Sequence, residues 1–386
     1  MRILTALTYY RPHISGLTIY TERLAKALAR RGHEVTILTS QFDRSTPREE
    51  VKDNVLIVRA PVLMRISKGV VMPTIGLLAT RLVLENEIIH LHLPQFDAAG
   101  IALRGRMLSK PTILTYHCDL KLPPGLFNRT ANYAVNLMNH LAALSAHRIV
   151  TYTDDYARHS PYARRYYGKV ETILPPVELP AVSKEAVRCF AQEYALDGRS
   201  PVIGMAARFA AEKGIEVLLN ALPEVLRSNP NAVVLYAGQY QDVLGEDEYA
   251  ARLFPAIDKY RERGQWRFLG VLDPSRMAAF YPNLDVLVVP SLNSTESFGL
   301  VQVEAMMNGV PVVASDLPGV RQPASITGMG RIFPAGDSSA LAEALSSVLD
   351  GPHEYRSDPE LIANQFSPAA AAVAYEALYE KIKGEI

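Results

Sequence analysis

Short apolar segments alternate with helical patterns along almost the whole chain, and this alternation constrains the fold more than any other feature of the sequence. The helical patterns repeat apolar residues at the spacing of one helix face, as in residues 17–31 before Gly32. In the first half, the strand-like segments are residues 3–7, 35–39, 55–60, 88–91, 112–115, 149–151 and 170–174. Strands that alternate with helices predict a parallel sheet with helices on both faces.

A proline-rich segment interrupts this alternation near the middle of the chain. Three prolines occur within residues 175–180, which predicts a linker between two domains. The strand-like segments then resume at residues 202–206, 233–237, 266–269, 286–289 and 312–314. The sequence therefore predicts an α/β fold with two Rossmann-like, doubly wound parallel-sheet domains. The first covers residues 1–179, with a C-terminal helix at 368–386 that crosses back onto it, and the second covers residues 180–367.

The charges of the chain balance overall but not within each half. The 40 Lys and Arg residues match the 40 Asp and Glu residues, which argues against a nucleic-acid-binding protein with a uniformly basic face. Residues 1–179 carry 23 basic and 14 acidic residues (net +9), and residues 180–386 carry 17 and 26 (net −9). This asymmetry predicts either an anionic substrate or membrane as partner of the first half, or attraction between two domains of opposite charge.

Cysteine usage and the apolar segments predict a cytoplasmic protein. Cys118 and Cys189 are too few for a disulfide framework or a cysteine-built metal site. Residues 69–80 form the longest apolar stretch, but Pro73 interrupts it and it is too short to span a bilayer. Residues 1–7 lack the features of a cleaved signal peptide. We therefore expect a cytoplasmic chain that at most makes peripheral contact with the inner face of the membrane.

The loop after residues 202–206 has the chemistry of a diphosphate site. Open α/β sheets bind ligands at the carboxyl ends of their strands, so the loops that follow strands are the places to search. Here Arg208 and Lys213 stand directly before a predicted helix. Two cations and the free N–H groups of a helix start suit a diphosphate. The alternative is a basic turn that is neutralised by Glu212.

Two carboxylates, Glu296 and Glu304, follow the strand-like segment 286–289 and are eight positions apart. Glu304 lies in an apolar helix, where a carboxylate is costly unless its oxygens accept hydrogen bonds. The vicinal hydroxyls of a ribose would donate such bonds. The alternatives are a buried ion pair with an arginine for Glu304, and an ordinary acid near a helix N-terminus for Glu296.

Two further loops contain candidate ligand contacts. His117 follows residues 112–115, where a histidine can hydrogen-bond a substrate hydroxyl or assist proton transfer, the alternative being a structural histidine. The loop at residues 9–16 ends in Ser15-Gly16, where the backbone can approach a ligand closely. That loop has no G-x-G-x-x-G, so a dehydrogenase with a nucleotide cofactor is not supported.

These motifs resemble those of the family 4 retaining glycosyltransferases of the GT-B fold, over essentially the whole chain. The resemblance rests on an E-x7-E element that begins at Glu296, an R-x4-K-G element that begins at Arg208, and Ser-Asp-Leu-Pro-Gly-Val at residues 315–320. The family usually has a Gly-Gly pair where this chain has Ser15-Gly16. The resemblance implies two Rossmann-like domains that face a central cleft, of which the first binds the acceptor and the second binds the sugar donor.

The resemblance also implies roles for individual residues. The implied catalytic residues are Arg208, Lys213, His117 and Glu296. The implied donor-binding residues are Gly16, Arg208, Lys213, Val271, Leu272, Glu296, Phe298, Gly299, Leu300 and Glu304. Arg208 and Lys213 would hold the donor diphosphate, and Glu304 would hold the ribose. Glu296 and His117 would contact the transferred sugar, and the backbone of residues 270–272 would read the base.

The predicted reaction is the retaining transfer of a hexose from a UDP- or GDP-linked sugar to a hydroxyl of a sugar, glycan or lipid-linked acceptor. Cations would stabilise the charge on the departing diphosphate, so no metal or other cofactor is expected. No carboxylate can be assigned as the nucleophile of a double displacement, which favours front-side attack. The alternatives are another GT-B enzyme, either a nucleotide-sugar epimerase or a phosphorylase, and a non-catalytic sugar-nucleotide-binding subunit.

A basic cluster in the first half predicts the peripheral contact with an anionic membrane. Arg65, Lys68 and Arg81 flank the apolar segment 70–84. Within this segment, apolar residues repeat at helical spacing at Ile75, Leu78 and Leu82. Such a surface can dock on anionic headgroups. The alternative is a helix whose apolar stripe faces the protein core.

Overall fold

The computed structural model describes residues 1–66, 69–120 and 126–385 of the chain. The chain divides into two compact units, Met1–Pro176 with Phe366–Ile386, and Val177–Gln365. The change from the first unit to the second falls inside the proline-rich segment 175–180, where proline disfavours both helix and sheet pairing.

The first unit is built around a mostly parallel sheet. Its elements up to the change of unit are β1 (Arg2–Ala6), α1 (Gly16–Arg30), β2 (Glu34–Gln41), β3 (Glu49–Lys52), β4 (Val55–Pro61), β5 (Met64–Ile66), β6 (Gly69–Val71), α2 (Ile75–Glu85), β7 (Ile88–Leu93), α3 (Ala98–Met107), β8 (Thr112–Tyr116), α4 (Leu126–Ser145), β9 (Arg148–Thr151), α5 (Asp154–His159), α6 (Pro161–Arg165) and β10 (Val170–Thr172). Within the described residues, the sheet has the strand order β10-β9-β8-β7-β1-β2-β4-β3. Neighbouring strands are parallel except β3 and β4, and β5 and β6 form a separate antiparallel pair. The strand order reverses between β1 and β7, which is where open α/β sheets bind ligands.

The second unit has a smaller sheet that is parallel throughout. Its elements are α7 (Lys184–Glu193), β11 (Val202–Ala206), α8 (Ile215–Ser228), β12 (Val233–Ala237), α9 (Asp247–Glu262), β13 (Trp266–Gly270), α10 (Pro274–Phe280), β14 (Val286–Val289), α11 (Leu300–Met306), β15 (Val312–Ser315), α12 (Gln322–Thr327), β16 (Gly330–Phe333), α13 (Ser338–Asp350) and α14 (Pro359–Gln365). The strand order is β13-β12-β11-β14-β15-β16. The order therefore reverses between β11 and β14, which places the loops after these two strands side by side.

The last helix, α15 (Pro368–Lys383), belongs to the first unit. Its N-cap is Ser367, whose hydroxyl accepts a hydrogen bond from the Ala370 N–H, and Pro368 occupies the first helical position. Two fully buried tyrosines tie it to the first sheet and to α1. The Tyr379 hydroxyl lies 2.8 Å from His90 Nδ1, and the Tyr375 hydroxyl lies 2.7 Å from the Tyr20 hydroxyl.

The predicted α/β fold with two parallel sheets is confirmed. Strands β7, β14 and β15 are buried along their whole length, because helices cover both faces of a parallel sheet, and their continuous apolar runs are visible in the sequence. The sequence analysis missed β3, β5, β6 and β16. Strands β3 and β16 lie at sheet edges and are largely exposed, so they lack that apolar signal.

The apolar stripe of α2 faces the core, which confirms the alternative interpretation of this segment and makes the predicted membrane-facing stripe wrong. Leu82 is buried in the core of the first unit, and Ile75 and Leu78 pack against that core. Arg65 donates a hydrogen bond to the Phe42 carbonyl, and Arg81 pairs with Glu49 at 3.0 Å. Lys68 lies outside the described residues. In the part of the chain that the structure describes, no helix combines the length and apolarity needed to cross a bilayer.

Candidate functional site

The loops that follow β11 and β14 are joined to each other at the point where the strand order of the second unit reverses. The Leu292 N–H donates to the Glu212 carbonyl at 2.9 Å. Gly214 has a left-handed backbone (φ +67°), and a Cβ atom at this position would lie 2.0 Å from the Pro290 carbonyl oxygen. Glycine therefore allows the two backbones to approach closely, and the side chains of both loops share one small region.

Lys213 and Glu296 form an ion pair across these loops, with Nζ and Oε2 2.7 Å apart. Both side chains are about four-fifths buried. The other carboxylate oxygen, Oε1, accepts the Gly299 N–H at 2.9 Å. Burial by itself would raise the pKa of Glu296, but Lys213 and the backbone N–H groups of Phe298 and Gly299 outweigh it and hold this pKa below its usual value. The carboxylate is therefore ionised at neutral pH.

Arg208 lies beside this pair in sequence and is more exposed. Its Nη2 contacts Glu212 Oε1 at 3.0 Å, which is the pairing that the alternative interpretation of this loop expects. The arginine side chain is 52% exposed. Exposed pairs of this kind contribute little stability, and a guanidinium has five N–H donors. Arg208 can therefore contact an anion without a large loss of protein stability.

Glu304 is a buried carboxylate held by a tyrosine. It is 8% exposed on α11, and the fully buried Tyr281 donates its hydroxyl hydrogen to Oε2 at 2.7 Å. Tyr281 was not among the predicted site residues, because it lies 23 positions earlier in the chain and no motif marks it. This hydrogen bond from Tyr281 fixes the orientation of the Glu304 carboxylate.

The remaining predicted donor contacts of the second unit are divided between two loops. Phe298 is buried, and Gly299, with φ +78°, precedes Leu300 at the start of α11. Val271 and Leu272 follow β13 at the edge of the sheet, where Val271 is 66% exposed. The structure brings the first group next to Glu296, and it places the second group two strands away from β11.

The predicted site residues of the first unit lie after β1 and β8. Gly16 begins α1 and is exposed, and the Ser15 hydroxyl caps this helix by accepting the Thr18 N–H at 3.2 Å. A Cβ atom at Gly16 would meet nothing within 4 Å, so no neighbouring protein atom requires glycine at this position. His117 directly follows β8 and is 5% exposed.

Both ring nitrogens of His117 contact protein groups. Nε2 lies 2.9 Å from His92 Nδ1, and Nδ1 is hydrogen-bonded to the Tyr152 hydroxyl. Burial lowers the pKa of His117 to about 3. The ring is therefore neutral at physiological pH and has no imidazolium proton to give. His92 and Tyr152 are partners that the sequence analysis missed, because their contacts cross between strands.

Buried histidines make the stability of this chain dependent on pH. Burial lowers the pKa of both His90 and His117 from 6.5 to about 3. As the pH falls below about 6.5, the unfolded chain takes up protons that the folded chain does not. The free energy of unfolding is then fully present above this pH and decreases toward pH 3, by up to about 1.4 kcal/mol per pH unit for each histidine.

Urea unfolding measured between about pH 7 and pH 5 checks this expectation, because most carboxylates titrate below that window. The variant His117→Gln should reduce the pH dependence. The control His159→Gln, at a residue whose side chain is 53% exposed, should leave it unchanged. A free energy of unfolding that stays constant across the window would contradict the buried, neutral state of these histidines.

Among the described residues, no group of three or more His, Cys, Asp or Glu side chains is placed to hold a metal ion. Asp247 and Glu248, from the acidic triplet at residues 246–248, begin α9. Acidic residues in a first helical turn are favoured by the helix dipole. This position explains Asp247 and Glu248, whereas the Glu246 carboxylate accepts the Ala211 N–H of the loop after β11 at 3.0 Å.

Two family models match the chain in consecutive regions. The model described as Glycosyltransferase Family 4 matches residues 14–180, and the model described as Glycosyl transferases group 1 matches residues 189–365. These regions cover most of both units. The motifs that the sequence analysis identified lie within them.

Individual proteins of known name are also similar to the chain. A phosphatidyl-myo-inositol mannosyltransferase of Mycolicibacterium smegmatis is 27% identical over 355 residues, which is 87% of this chain and 81% of that protein. A phosphatidyl-myo-inositol mannosyltransferase of Mycobacterium leprae is 39% identical over 137 residues, or 36% of this chain, and the match spans only 34% of that relative. Among solved structures, a sucrose-phosphate synthase of Thermosynechococcus elongatus has a TM-score of 0.79 and 21% identity over the whole of both chains. That last likeness concerns the fold alone.

Proposed function

This chain belongs to the family 4 glycosyltransferases of the GT-B fold, and we propose that it transfers a hexose from a UDP- or GDP-linked sugar to a hydroxyl acceptor with retention and without a metal ion. The observation that carries this proposal is the Lys213–Glu296 ion pair, at 2.7 Å, where the strand order of the second unit reverses. A cation for the phosphates and a carboxylate for the sugar hydroxyls are thereby held together by the protein itself.

The donor would bind along the loops after β11 and β14. Arg208 and Lys213 would contact the diphosphate, whose charge increases as the glycosyl bond breaks. Glu304, oriented by Tyr281, would accept hydrogen bonds from the ribose. The main chain of residues 270–272, after β13, would read the base. Glu296 would turn from its present partners toward hydroxyls of the transferred sugar.

The proposed chemistry is front-side attack. The acceptor hydroxyl oxygen would form the new bond on the face of the anomeric carbon from which the diphosphate departs, and a phosphate oxygen would take the acceptor proton. The configuration at the anomeric carbon is then retained without a protein nucleophile. His117 lies in the first unit, and its pKa of about 3 leaves it without a proton to donate as an acid, so the scheme assigns it no proton transfer.

The acceptor would bind to the first unit and would be lipid-linked, with a free sugar or glycan as the other predicted class. Two of the similar proteins are named as mannosyltransferases that act on phosphatidyl-myo-inositol. In this chain a cavity of about 580 Å³ lies beside the end of β2. Its lining includes Phe42, Leu63 and Arg65, which offer an apolar surface and a cation to an amphipathic anion.

Two isosteric substitutions test the division of roles in the donor site. Glu304→Gln removes the charge but keeps the volume, so we expect about 10-fold or greater loss of nucleotide affinity with little change in melting temperature. Glu296→Gln should leave nucleotide affinity nearly unchanged and lower the rate of transfer, because its proposed partner is the sugar. Isothermal titration with UDP and GDP measures the first effect, and product formation from the matching nucleotide sugar measures the second.

The same assays separate the rival functions. An epimerase would alter the donor without an acceptor, a phosphorylase would need inorganic phosphate, and a non-catalytic subunit would bind nucleotide without turnover. Unfolding of Glu304→Gln would instead make Glu304 a structural acid. Equal losses of binding and transfer in Glu296→Gln would contradict the separate roles of the two carboxylates.

A further inference from the structure

We propose that the outer face of α3 and α4 in the first unit is a docking surface for an anionic lipid bilayer. Helix α4 exposes apolar side chains at positions that lie on one helix face. They are Tyr133, Leu137, Leu141 and Leu144, with exposures of 71%, 42%, 42% and 64%. An exposed stripe of this size on a helix is unusual in a protein surrounded only by water.

The inward face of α4 carries small residues and a buried asparagine, whereas large apolar side chains of this helix are exposed. Asn139 is fully buried, as are the small residues Ala142 and Ala143. The Asn139 Oδ1 accepts the Gln95 N–H at 3.2 Å, which offsets part of the cost of its burial. The helix therefore packs on the protein through small and hydrogen-bonded residues and leaves its leucines outside.

Helix α3 packs against α4 and also exposes large apolar side chains. Leu103 is 51% exposed and Met107 is 76% exposed, and these residues are four positions apart on α3. The α3–α4 face is defined here as Leu103, Met107, Tyr133, Leu137, Leu141 and Leu144. Bulky apolar side chains on two adjacent helices can enter the boundary between headgroups and acyl chains.

The charges around the α3–α4 face indicate lipid rather than a second copy of the chain. Helix α4 contains no Asp or Glu, and the exposed cations Arg106 and Arg129 lie on α3 and α4. Anionic headgroups attract such cations. A two-fold interface between copies would instead bring each surface against the same surface of its partner, with like charges facing each other.

This surface differs from the one that the sequence predicted, because the stripe of α2 lies in the core. The functional reason for membrane docking depends on the proposed function, in which the acceptor is lipid-linked. Membrane binding, however, can be measured without donor or acceptor, so the two proposals can fail separately. Turnover with a soluble acceptor analogue but no vesicle binding would overturn only the docking surface.

Co-sedimentation with vesicles tests the apolar part of the proposal. We expect the protein to sediment with equal parts of phosphatidylglycerol and phosphatidylcholine at low salt, and to stay in solution with phosphatidylcholine alone. The combined variant Leu137→Gln, Leu141→Gln, Leu144→Gln should bind at least about 10-fold more weakly, because each leucine removes apolar area from water on docking. The control Leu244→Gln, Leu361→Gln changes leucines of the second unit that are at least as exposed, and it should bind like the wild type.

The cations and the depth of contact give two further measurements. Arg106→Ser with Arg129→Ser should weaken binding and reduce its salt dependence, whereas Arg188→Ser with Arg263→Ser, at exposed arginines of the second unit, should not. Tyr133→Trp should show a blue shift of the added fluorescence and quenching by brominated lipids. Wild-type binding by the leucine variant, or no quenching at position 133, would overturn the proposal. So would a change of oligomeric state in that variant without loss of lipid binding, which would assign the face to self-association.

Discussion

Replacing Lys213 with alanine is expected to lower the rate of sugar transfer by a factor of about 10² or more. The proposed role of Lys213 is to stabilise negative charge that develops on the departing diphosphate, and a preorganised cation in a partly buried site has effects of this size. Its removal also leaves Glu296 without the ion pair that now lies at 2.7 Å, so the pKa of Glu296 should rise. Steady-state kinetics with saturating nucleotide sugar measure the effect.

Several variants show whether this loss arises from the chemistry. Lys184→Ala, at an exposed lysine of the second unit, is the matched control and should retain wild-type activity. Arg208→Ala should also lower transfer strongly, and its melting temperature should change less than that of Lys213→Ala, since its pairing with Glu212 is more exposed. If Lys213 and Glu296 act as a unit, the double variant Lys213→Ala, Glu296→Gln should lose less than the two single losses multiplied. Unchanged turnover in Lys213→Ala would remove it from the site.

Replacing Gly214 with alanine is expected to destabilise the protein by about 2–5 kcal/mol. A left-handed backbone costs a residue with a Cβ roughly 1–2 kcal/mol, and forcing an atom into a packed space costs roughly 1–3 kcal/mol more. The new Cβ would lie 2.0 Å from the Pro290 carbonyl oxygen, which is a backbone atom and cannot move aside as a flexible side chain could. The two loops of the candidate site would have to separate, and donor affinity should fall together with stability.

Gly198→Ala separates the two contributions. Gly198 has nearly the same backbone angle (φ +71°), but its Cβ would meet nothing within 4 Å. This control should therefore show only the backbone cost, and chemical denaturation of both variants measures the difference. Equal losses of stability would mean that the loops after β11 and β14 can move apart freely, contrary to the close approach at Pro290.

The positions of most strands along the chain could be predicted, because the apolar runs that indicate them are local features of the sequence. Strands β11, β12 and β14 begin and end where their apolar runs do, and helix α1 (Gly16–Arg30) lies within one residue of the periodic segment 17–31 at each end. Edge strands such as β3 were missed, because exposed strands do not need apolar residues. The motif spacings likewise marked Arg208, Lys213, Glu296 and Glu304 as candidate residues.

The partners of those residues could not be predicted. Lys213 and Glu296 are 83 positions apart, and they meet because β11 and β14 are neighbours in the sheet. The sequence contains both residues but not the strand order that pairs them. Tyr281 against Glu304 and Tyr152 against His117 were missed for the same reason, since a buried tyrosine has no distinctive local pattern.

The sequence by itself determined the class of fold and supplied the candidate residues of the site, because periodicity and charge act within a few residues of the chain. Its proline-rich segment 175–180 contains the change of unit. Only the tertiary structure decided which side of each helix meets water. The apolar stripe of α2 faces the protein core, whereas that of α4 is exposed to solvent. Periodicity shows that a helix has two unlike faces, but the neighbouring elements decide which of them is covered.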